Sequence, residues 1–441
     1  MASDDAGRRV LAIVDDDRGD LVDLCLALGN LRDYSGHERA VGEAVVAWLR
    51  EAGIDAWLQR IDETSVNAIG VLRGKDAERR NGHSLILNAH MDTQGIAPGG
   101  DESVERKIRG AWRDGELLYG QGLANDKAQL AAEMIAARAI RKSGISLQAD
   151  LFVTGVAQET SAPFDRDLAA WSGVGPADSQ VREGFGARWL VEQGIVADYA
   201  LVGEVSDFTM SVAQAGYLRL RVSVPGNVPY TPAIRRGQGI GGNPNPFERA
   251  GHAITRIEAW AKAYEEQARF TFWGGTVIPK AQIYEIRSSG PAWTEQVDHC
   301  HIFLDIRLAP EAAPMEIQRS LARALAETGL ECGIQAYDFR RGFVSNGAER
   351  LIESLKDAHR AVLGDDLPLA PTGVISMWRD ANAFNEAGIP AVGYGPGTRD
   401  PIADGGVAGL AGAARPMAID DLVATAKVFA LTALAICEVA G

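Results

Sequence analysis

The chain has 441 residues, more than one hydrophobic core usually holds, so two domains are expected. A hydrophobic content of 46% and a charged content of 23% are those of a soluble globular protein, and a net charge of -15 argues against nucleic acid or an anionic membrane as a partner. Cys25, Cys300, Cys332 and Cys437 form no C-x-x-C and read as buried thiols. The start MASDDAGRR carries no apolar leader and no stretch reaches transmembrane length, so a cytoplasmic location is expected.

Residues 8–33 have a helical pattern. Ser35-Gly36-His37-Glu38 reads as a turn and helix start, with His37 on the surface, and the helix that follows runs to Ala52 with Gly53 as its stop. Residues 56–58 and 67–72 read as strands at a sheet edge, and Leu85-Ile86-Leu87 as a buried strand. After a polar, Gly-rich loop through Gly115, Asn125 or Asp126 caps the helix AQLAAEMIAARAIRKSG, which Gly144 ends. Residues 149–156 and 200–202 are further strands. The long connection 160–194, with Trp171, Gly173, Gly175 and Trp189, is either a partial lid or a surface insertion. From Met210 the strand-like runs YLRLRVSV, AQIYEIR and HCHIFLDIRLAP alternate with helical ones in a β-α-β-β-α-β order, that of an open-faced sandwich. A helix over 348–363, the segment GIPAVGYGPG and an Ala-rich helix over 422–440 complete the first domain.

Chemistry enters at SLILNAHMDT. Alternate side chains of a strand point the same way, so His90 and Asp92 face one site at the strand's carboxyl end. Imidazole is a common metal ligand when a second group orients its other nitrogen, which suits His90 on a metal with Asp92 behind it. H-x-D alone also fits an ordinary strand-end histidine. Downstream, Asp126 in GLANDK, Glu159 in VAQET and Glu204 in DYALVGE each stand at an element end, and one histidine with three acids is a metal-site pattern.

In their order, HMD, GQGLANDK, QET, ADYALVGE and GIPAVGYGPG resemble the M20 family of dinuclear metallohydrolases, from about Leu21 to the C-terminus. That family includes acetylornithine and succinyl-diaminopimelate deacylases, carboxypeptidase G2-like enzymes and aminoacylases. The resemblance implies an α/β fold: a mixed-sheet metallohydrolase catalytic domain, residues 1–209 and 339–441, with an inserted α+β open-faced sandwich lid or dimerisation domain at 210–338. It also implies one or two divalent transition-metal ions per chain, zinc or manganese with cobalt an option, and a homodimer or an assembly of dimers. In the family two ions share a bridging Asp. One ion takes the His of H-x-D and a later acid. The other takes the second Glu of a Glu-Glu pair and a C-terminal His, and the first Glu of that pair is the general base. Residue by residue, His90, Asp126 and Glu204 match the first ion's ligands, Asp92 the carboxylate behind the histidine, and Glu159 the second ion's acid.

Three positions depart from that pattern. The general-base position holds Gln158, a neutral amide that can position water and cannot take its proton. The C-terminal His is replaced by Arg415 or Ala411, depending on register, and no histidine follows His359, which reads as an ordinary helix residue; Asp400 and Asp404 are candidates for a substitute oxygen ligand that no motif marks out. The lid's G-x-x-x-His reads Gly226-Asn227-Val228-Pro229-Tyr230, so Tyr230 stands for an electrophilic histidine, while His252 lies elsewhere on a helix. The region also gains Arg379, Arg399 and Arg415, which suit a substrate carboxylate, and Trp378, which suits either a substrate ring or a core position. Gly274-Gly275 and Arg307 are weaker matches to substrate-contacting lid elements.

The expectation is a metal-dependent hydrolase of a C–N bond in a small carboxylate-bearing molecule, with a non-standard and mononuclear or labile-metal site in which Glu159 can serve as base. Alternatives are an aminohydrolase acting on an aromatic amino acid-like carboxylate, a catalytically silent binding or scaffold protein, and a lyase on the same fold.

Overall fold

The computed structural model describes residues 2–31, 35–75, 83–93, 110–160, 183–228, 230–235, 237–242, 244–288, 297–398 and 415–440. The chain forms two compact units: residues 1–212, 345–370 and 379–441, and residues 213–344 with 371–378.

The first unit is built on a six-stranded mixed sheet. Its strands lie in the order Asp55–Arg60, Val66–Leu72, Leu151–Val156, Leu85–His90, Tyr199–Gly203 and Ala391–Tyr394. The first two pairings are antiparallel and the other three parallel, with His90 opposite Val156 at the carboxyl end. Strands 66–72, 85–90 and 151–156 are buried nearly throughout. Both faces are therefore covered, and such strands read as apolar runs without alternation. Ile69, Val71, Ile86, Phe152, Ala200, Val202 and Ala391 pack on one face with Ala187, Leu190, Phe384 and Ile389. The helices Ala128–Lys142 and Ile419–Cys437 pack on the strand Leu85–His90 and on each other. Each fully buried Leu or Ile contributes about 2 kcal/mol relative to exposure.

Several sequence expectations change in detail. Residues 8–33 are not one helix: Ala2–Asp16 and Arg18–Asn30 are separate, divided at Asp17. The buried Asp17 carboxylate bonds Arg138 and Lys142 of another helix, a tertiary tie that no local pattern reveals. Neither Asn125 nor Asp126 caps the helix Ala128–Lys142. Its cap position is Lys127, with no side-chain cap bond, and Asp126 lies in the wide turn Leu123–Lys127 with its side chain buried. His37 is exposed as expected. His359 is on a helix and buried, its ring between the Tyr394 hydroxyl at 3.0 Å and Asp365 at 3.2 Å. Most of the 160–194 connection lies outside the described residues.

The second unit has a four-stranded antiparallel sheet in the order Ala281–Ser288, His299–Leu308, Gly216–Pro225, Gly333–Arg340. Period-2 alternation puts Leu218, Leu220, Val222 and Val224 on one face, with Ile302, Leu304 and Ile306. The helices Pro246–Gln267 and Pro314–Ala326 cover that face. Asn245 caps the first of them, accepting the Phe247 N–H at 2.9 Å, and Pro246 follows at the first helical position. The order is the expected β-α-β-β-α-β, with a small hairpin, Phe270–Phe272 and Gly275–Val277, added.

Candidate metal centre

The parallel strands of the first sheet end together, and the site residues follow those ends: His90 closes Leu85–His90, Gln158 and Glu159 follow Leu151–Val156, and Glu204 follows Tyr199–Gly203. Parallel sheets open their crevices at this carboxyl edge, where side chains of successive strands converge. Close packing then holds the edge in place. A Cβ on Gly395 would stand 2.2 Å from the Glu204 carbonyl oxygen, so glycine alone lets the 391–394 strand pass beside Glu204.

His90, Asp126 and Glu204 are all buried, and each offers one ligand atom within 4.8 Å of the others. His90 Nε2 is 3.3 Å from Asp126 Oδ2 and 3.6 Å from Glu159 Oε2. Neither His90 Nε2 nor Asp126 Oδ2 has a hydrogen-bond partner. Two orphaned polar atoms at such depth, facing each other among carboxylates, fit a cation that the chain itself does not supply.

The surrounding groups orient these donors. The His90 Nδ1 lies 2.9 Å from the Asp92 backbone carbonyl and 3.5 Å from its carboxylate, which commits Nδ1–H and leaves Nε2 as the ligand atom. The Asp92 carboxylate accepts the Glu159 N–H at 3.0 Å, the Thr160 N–H at 2.9 Å and the Thr160 hydroxyl at 2.5 Å. Burial would raise the Asp92 pKa, but these donors and His90 hold it below the usual carboxylate range. Asp92 therefore orients the site and is a poor proton acceptor. Gln129, buried and three residues after Asp126, donates to Asp126 Oδ1 at 3.1 Å and to the Ala124 carbonyl at 2.7 Å.

Gln158 is buried with φ +56, and its Nε2 donates to Ser65 Oγ at 2.9 Å. Ser65 in turn donates to Glu38 Oε2 at 2.7 Å, and Glu38 Oε1 accepts the Gln158 N–H at 3.2 Å. A serine has one proton to give, so the amide must present its NH₂ to Ser65 and keep Oε1 free, and Oε1 has no partner.

Electrostatics describe a site crowded with acid. Burial, the charge of Glu204 and that of Asp380 push Asp126 well above its ordinary value, against the pull of His90 and Arg379. Burial does the same to Glu159, with Glu204, Asp380 and Asp92 adding to it against His90. Burial takes Asp380 up to about 7. Burial by itself would lower the His90 imidazole, but the Asp126, Glu159 and Asp92 carboxylates hold it well above its usual value. This is the signature of anions gathered without their counter-charge, and a bound cation inverts it.

The sequence-selected residues thus separate. His90, Asp92, Asp126, Glu159, Glu204 and Arg379 are brought together in the first unit, and Gln158 precedes Glu159 with its side-chain amide on Ser65. Arg379 is 5% exposed, with Nε 3.5 Å from Glu204 Oε2. Arg415 is an exposed residue of the same unit, and Arg399, Asp400, Asp404 and Ala411 lie outside the described residues. In the second unit Tyr230 is 67% exposed and His252 is exposed on its helix. Trp378, also in that unit, is buried edge-to-face on Tyr217 with ring centroids 5.9 Å apart, a core packing arrangement. Arg307 pairs with Asp305 at 3.0 Å. Sequence reasoning passed over Gln129, Glu38, Ser65 and Asp380. All four meet the site only through the fold, Gln129 because Asp126 lies outside its helix in the turn before it.

A profile of the family described as Peptidase family M20/M25/M40 matches residues 86–435. The chain is 22% identical over 417 residues to an N-formyl-4-amino-5-aminomethyl-2-methylpyrimidine deformylase of Halalkalibacterium halodurans, covering 88% of this chain and 89% of that protein. Its fold is similar to that of the aminopeptidase PepT of Bacillus cereus, with a TM-score of 0.64 at 16% identity over 96% of this chain and 99% of the other. It is also similar to the Bacillus subtilis YXEP protein, a dinuclear metal-binding peptidase, with a TM-score of 0.59 at 14% identity over 96% and 99%. The profile spans most of the chain, and the mixed α/β architecture is shared with these structures: the chain belongs to the M20/M25/M40 peptidase family, hydrolases of C–N bonds.

Proposed function

We propose that the protein is a divalent-metal-dependent hydrolase of an amide-like C–N bond in a small, carboxylate-bearing molecule, with His90, Asp126 and Glu204 as the ligands of the ion. The observation that carries this reading is the pair of buried, unpartnered ligand atoms, His90 Nε2 and Asp126 Oδ2, converging with Glu204. Three protein ligands, one fewer than the four of structural sites, is the pattern of catalytic ones. Zinc or manganese suits one imidazole among carboxylates, and cobalt is a workable substitute. When bound, such an ion supplies Lewis acidity and lowers the pKa of water beside it.

The chain's own groups do the rest. Asp92 holds the His90 ring in its ligand orientation. The free Oε1 of Gln158 accepts a hydrogen bond from the attacking water or a substrate N–H and so positions it, a role that needs no ionisable group. Glu159, whose Oε2 lies 3.6 Å from His90 Nε2, takes the proton from water and returns it to the leaving nitrogen. Arg379 Nη1, buried and without a partner, remains to donate to an oxygen of the substrate. The deformylase likeness supports short N-acyl or N-formyl groups as the first substrates to try.

The test is metal content by mass spectrometry on purified protein, before and after chelation and reloading with Zn²⁺, Mn²⁺ or Co²⁺, alongside hydrolysis of a panel of N-formyl and N-acyl carboxylates. Loss and recovery of metal and turnover together are expected, and Glu159→Gln should retain the ion while losing at least 100-fold in kcat. Full-rate turnover by metal-free protein would defeat the reading. Failure to take up any ion would leave a binding protein on a hydrolase fold.

A further inference from the structure

The ligand atoms of this centre are unusually committed. Asp126 sits in a wide turn ahead of the helix Ala128–Lys142, and one of its oxygens is already taken. The Gln129 amide has two N–H groups: one goes to the Ala124 carbonyl, the other to Asp126 Oδ1. Both partners are buried, so neither bond is readily exchanged for water. Asp126 therefore faces His90 through Oδ2, and a second ion on Oδ1 would have to compete with the Gln129 N–H for that oxygen. His90 offers only Nε2. Among the described residues, His90, Asp126 and Glu204 form the one group of three His, Cys, Asp or Glu side chains close enough to hold an ion.

A cation of the chain's own stands beside Glu204. Arg379 Nη2 donates to the Val205 carbonyl at 2.8 Å, which fixes the guanidinium, and Nε lies 3.5 Å from Glu204 Oε2. Nη1 is buried and has no partner. Arginine does not deprotonate in proteins, so this is a permanent charge, present whether or not metal is bound. A guanidinium held against a ligand carboxylate competes for it and repels a divalent ion nearby.

We propose that this centre works with a single divalent ion, Arg379 supplying in place of a second ion the fixed positive charge that meets a substrate oxygen, and Gln129 competing for the Asp126 oxygen that a second ion would take. This rests on the functional reading above and adds the stoichiometry and the residues that set it. Gln129 and Arg379 act on the ligands, so they are positioning residues for the metal; Arg379 also touches substrate through Nη1.

The experiment uses the full chain. Protein saturated with Zn²⁺ and freed of excess is counted by inductively coupled plasma mass spectrometry, and Zn²⁺ binding is titrated calorimetrically against a competing chelator for the wild type, Arg379→Met, Arg379→Lys and Gln129→Leu. The wild type should hold one ion per chain. Arg379→Met should bind that ion at least tenfold tighter, since a neighbouring repulsion is gone, while Arg379→Lys, which keeps the charge, should stay within about threefold of the wild type. Gln129→Leu should allow a second, weaker ion to register. Two ions on the wild type would overturn the proposal and leave the hydrolase reading standing. Weaker binding by Arg379→Met would also overturn it, because Arg379 would then only be bracing Glu204. No uptake by the wild type would defeat the hydrolase reading and this inference with it. The wild-type count needs no variant, so it decides even if a substitution prevents folding.

Discussion

At the scale of single residues, the centre depends on groups that never touch the ion. Asp92 accepts from three protein donors, two of them backbone N–H groups of Glu159 and Thr160. Asp92→Asn would turn an NH₂ toward one of those donors, so it should cost about 2 kcal/mol of stability. It should also weaken metal binding by roughly 10- to 100-fold through a misoriented His90. Denaturant melts and metal titrations read the two effects, and a variant unchanged in both would show that Asp92 does not organise the site. Gly395 is a stricter case. A methyl there meets the Glu204 carbonyl at 2.2 Å, backbone against backbone, so no side-chain rotation relieves it. Gly395→Ala should lose about 3 kcal/mol and displace Glu204, seen as a lowered Tm with weakened Zn²⁺ affinity. Full retention of both would mean the strand shifts freely.

At the scale of elements, the sheet of the second unit carries a pH response unrelated to the centre. His301 lies on the strand His299–Leu308, its ring 3.0 Å from Ser223 and stacked on His299 at 5.7 Å. Burial, then Arg221 and His299, lower its pKa from 6.5 to about 4, against the opposing pull of Asp298. The folded form therefore binds its proton less readily than the unfolded chain. The stability it contributes is present above pH 6.5 and is lost as pH falls from there through about 4. Because the ring is only half-buried, the loss is discounted to about 1 kcal/mol. His301→Asn should flatten that part of the stability–pH curve, measured by denaturant melts between pH 7 and 4. An unaltered slope would place the acid sensitivity in other groups.

At the scale of the whole molecule, two units with separate cores need not melt as one, so a single unfolding free energy is not expected. The centre lies wholly within the first unit. Metal saturation should raise that unit's calorimetric transition, by about 4 kcal/mol at a thousandfold excess over Kd, and leave the other where it is. A transition of the first unit that ignores metal would contradict an ion on His90, Asp126 and Glu204. Among the described residues no helix is long and apolar enough to cross a membrane.

The sequence by itself determined the parts of this protein that are carried by local spacing. An apolar run ending in H-x-D, acids at three further element ends and a β-α-β-β-α-β order are each readable along the chain, because strand alternation and element ends are local properties. It also exposed the substitutions at Gln158 and Tyr230, since a changed residue type needs no coordinates to be seen. Tertiary structure alone decided which acids share a site and in what role. Asp126 has the sequence look of a helix cap, yet the turn Leu123–Lys127 buries its side chain against His90. Arg379, Arg399 and Arg415 look alike in sequence, but only burial against Glu204 gives Arg379 its place in the centre. Glu38 and Ser65 reach Gln158 across 93 residues or more of chain. Such contacts are set by how strands order in a sheet, which residue spacing does not encode.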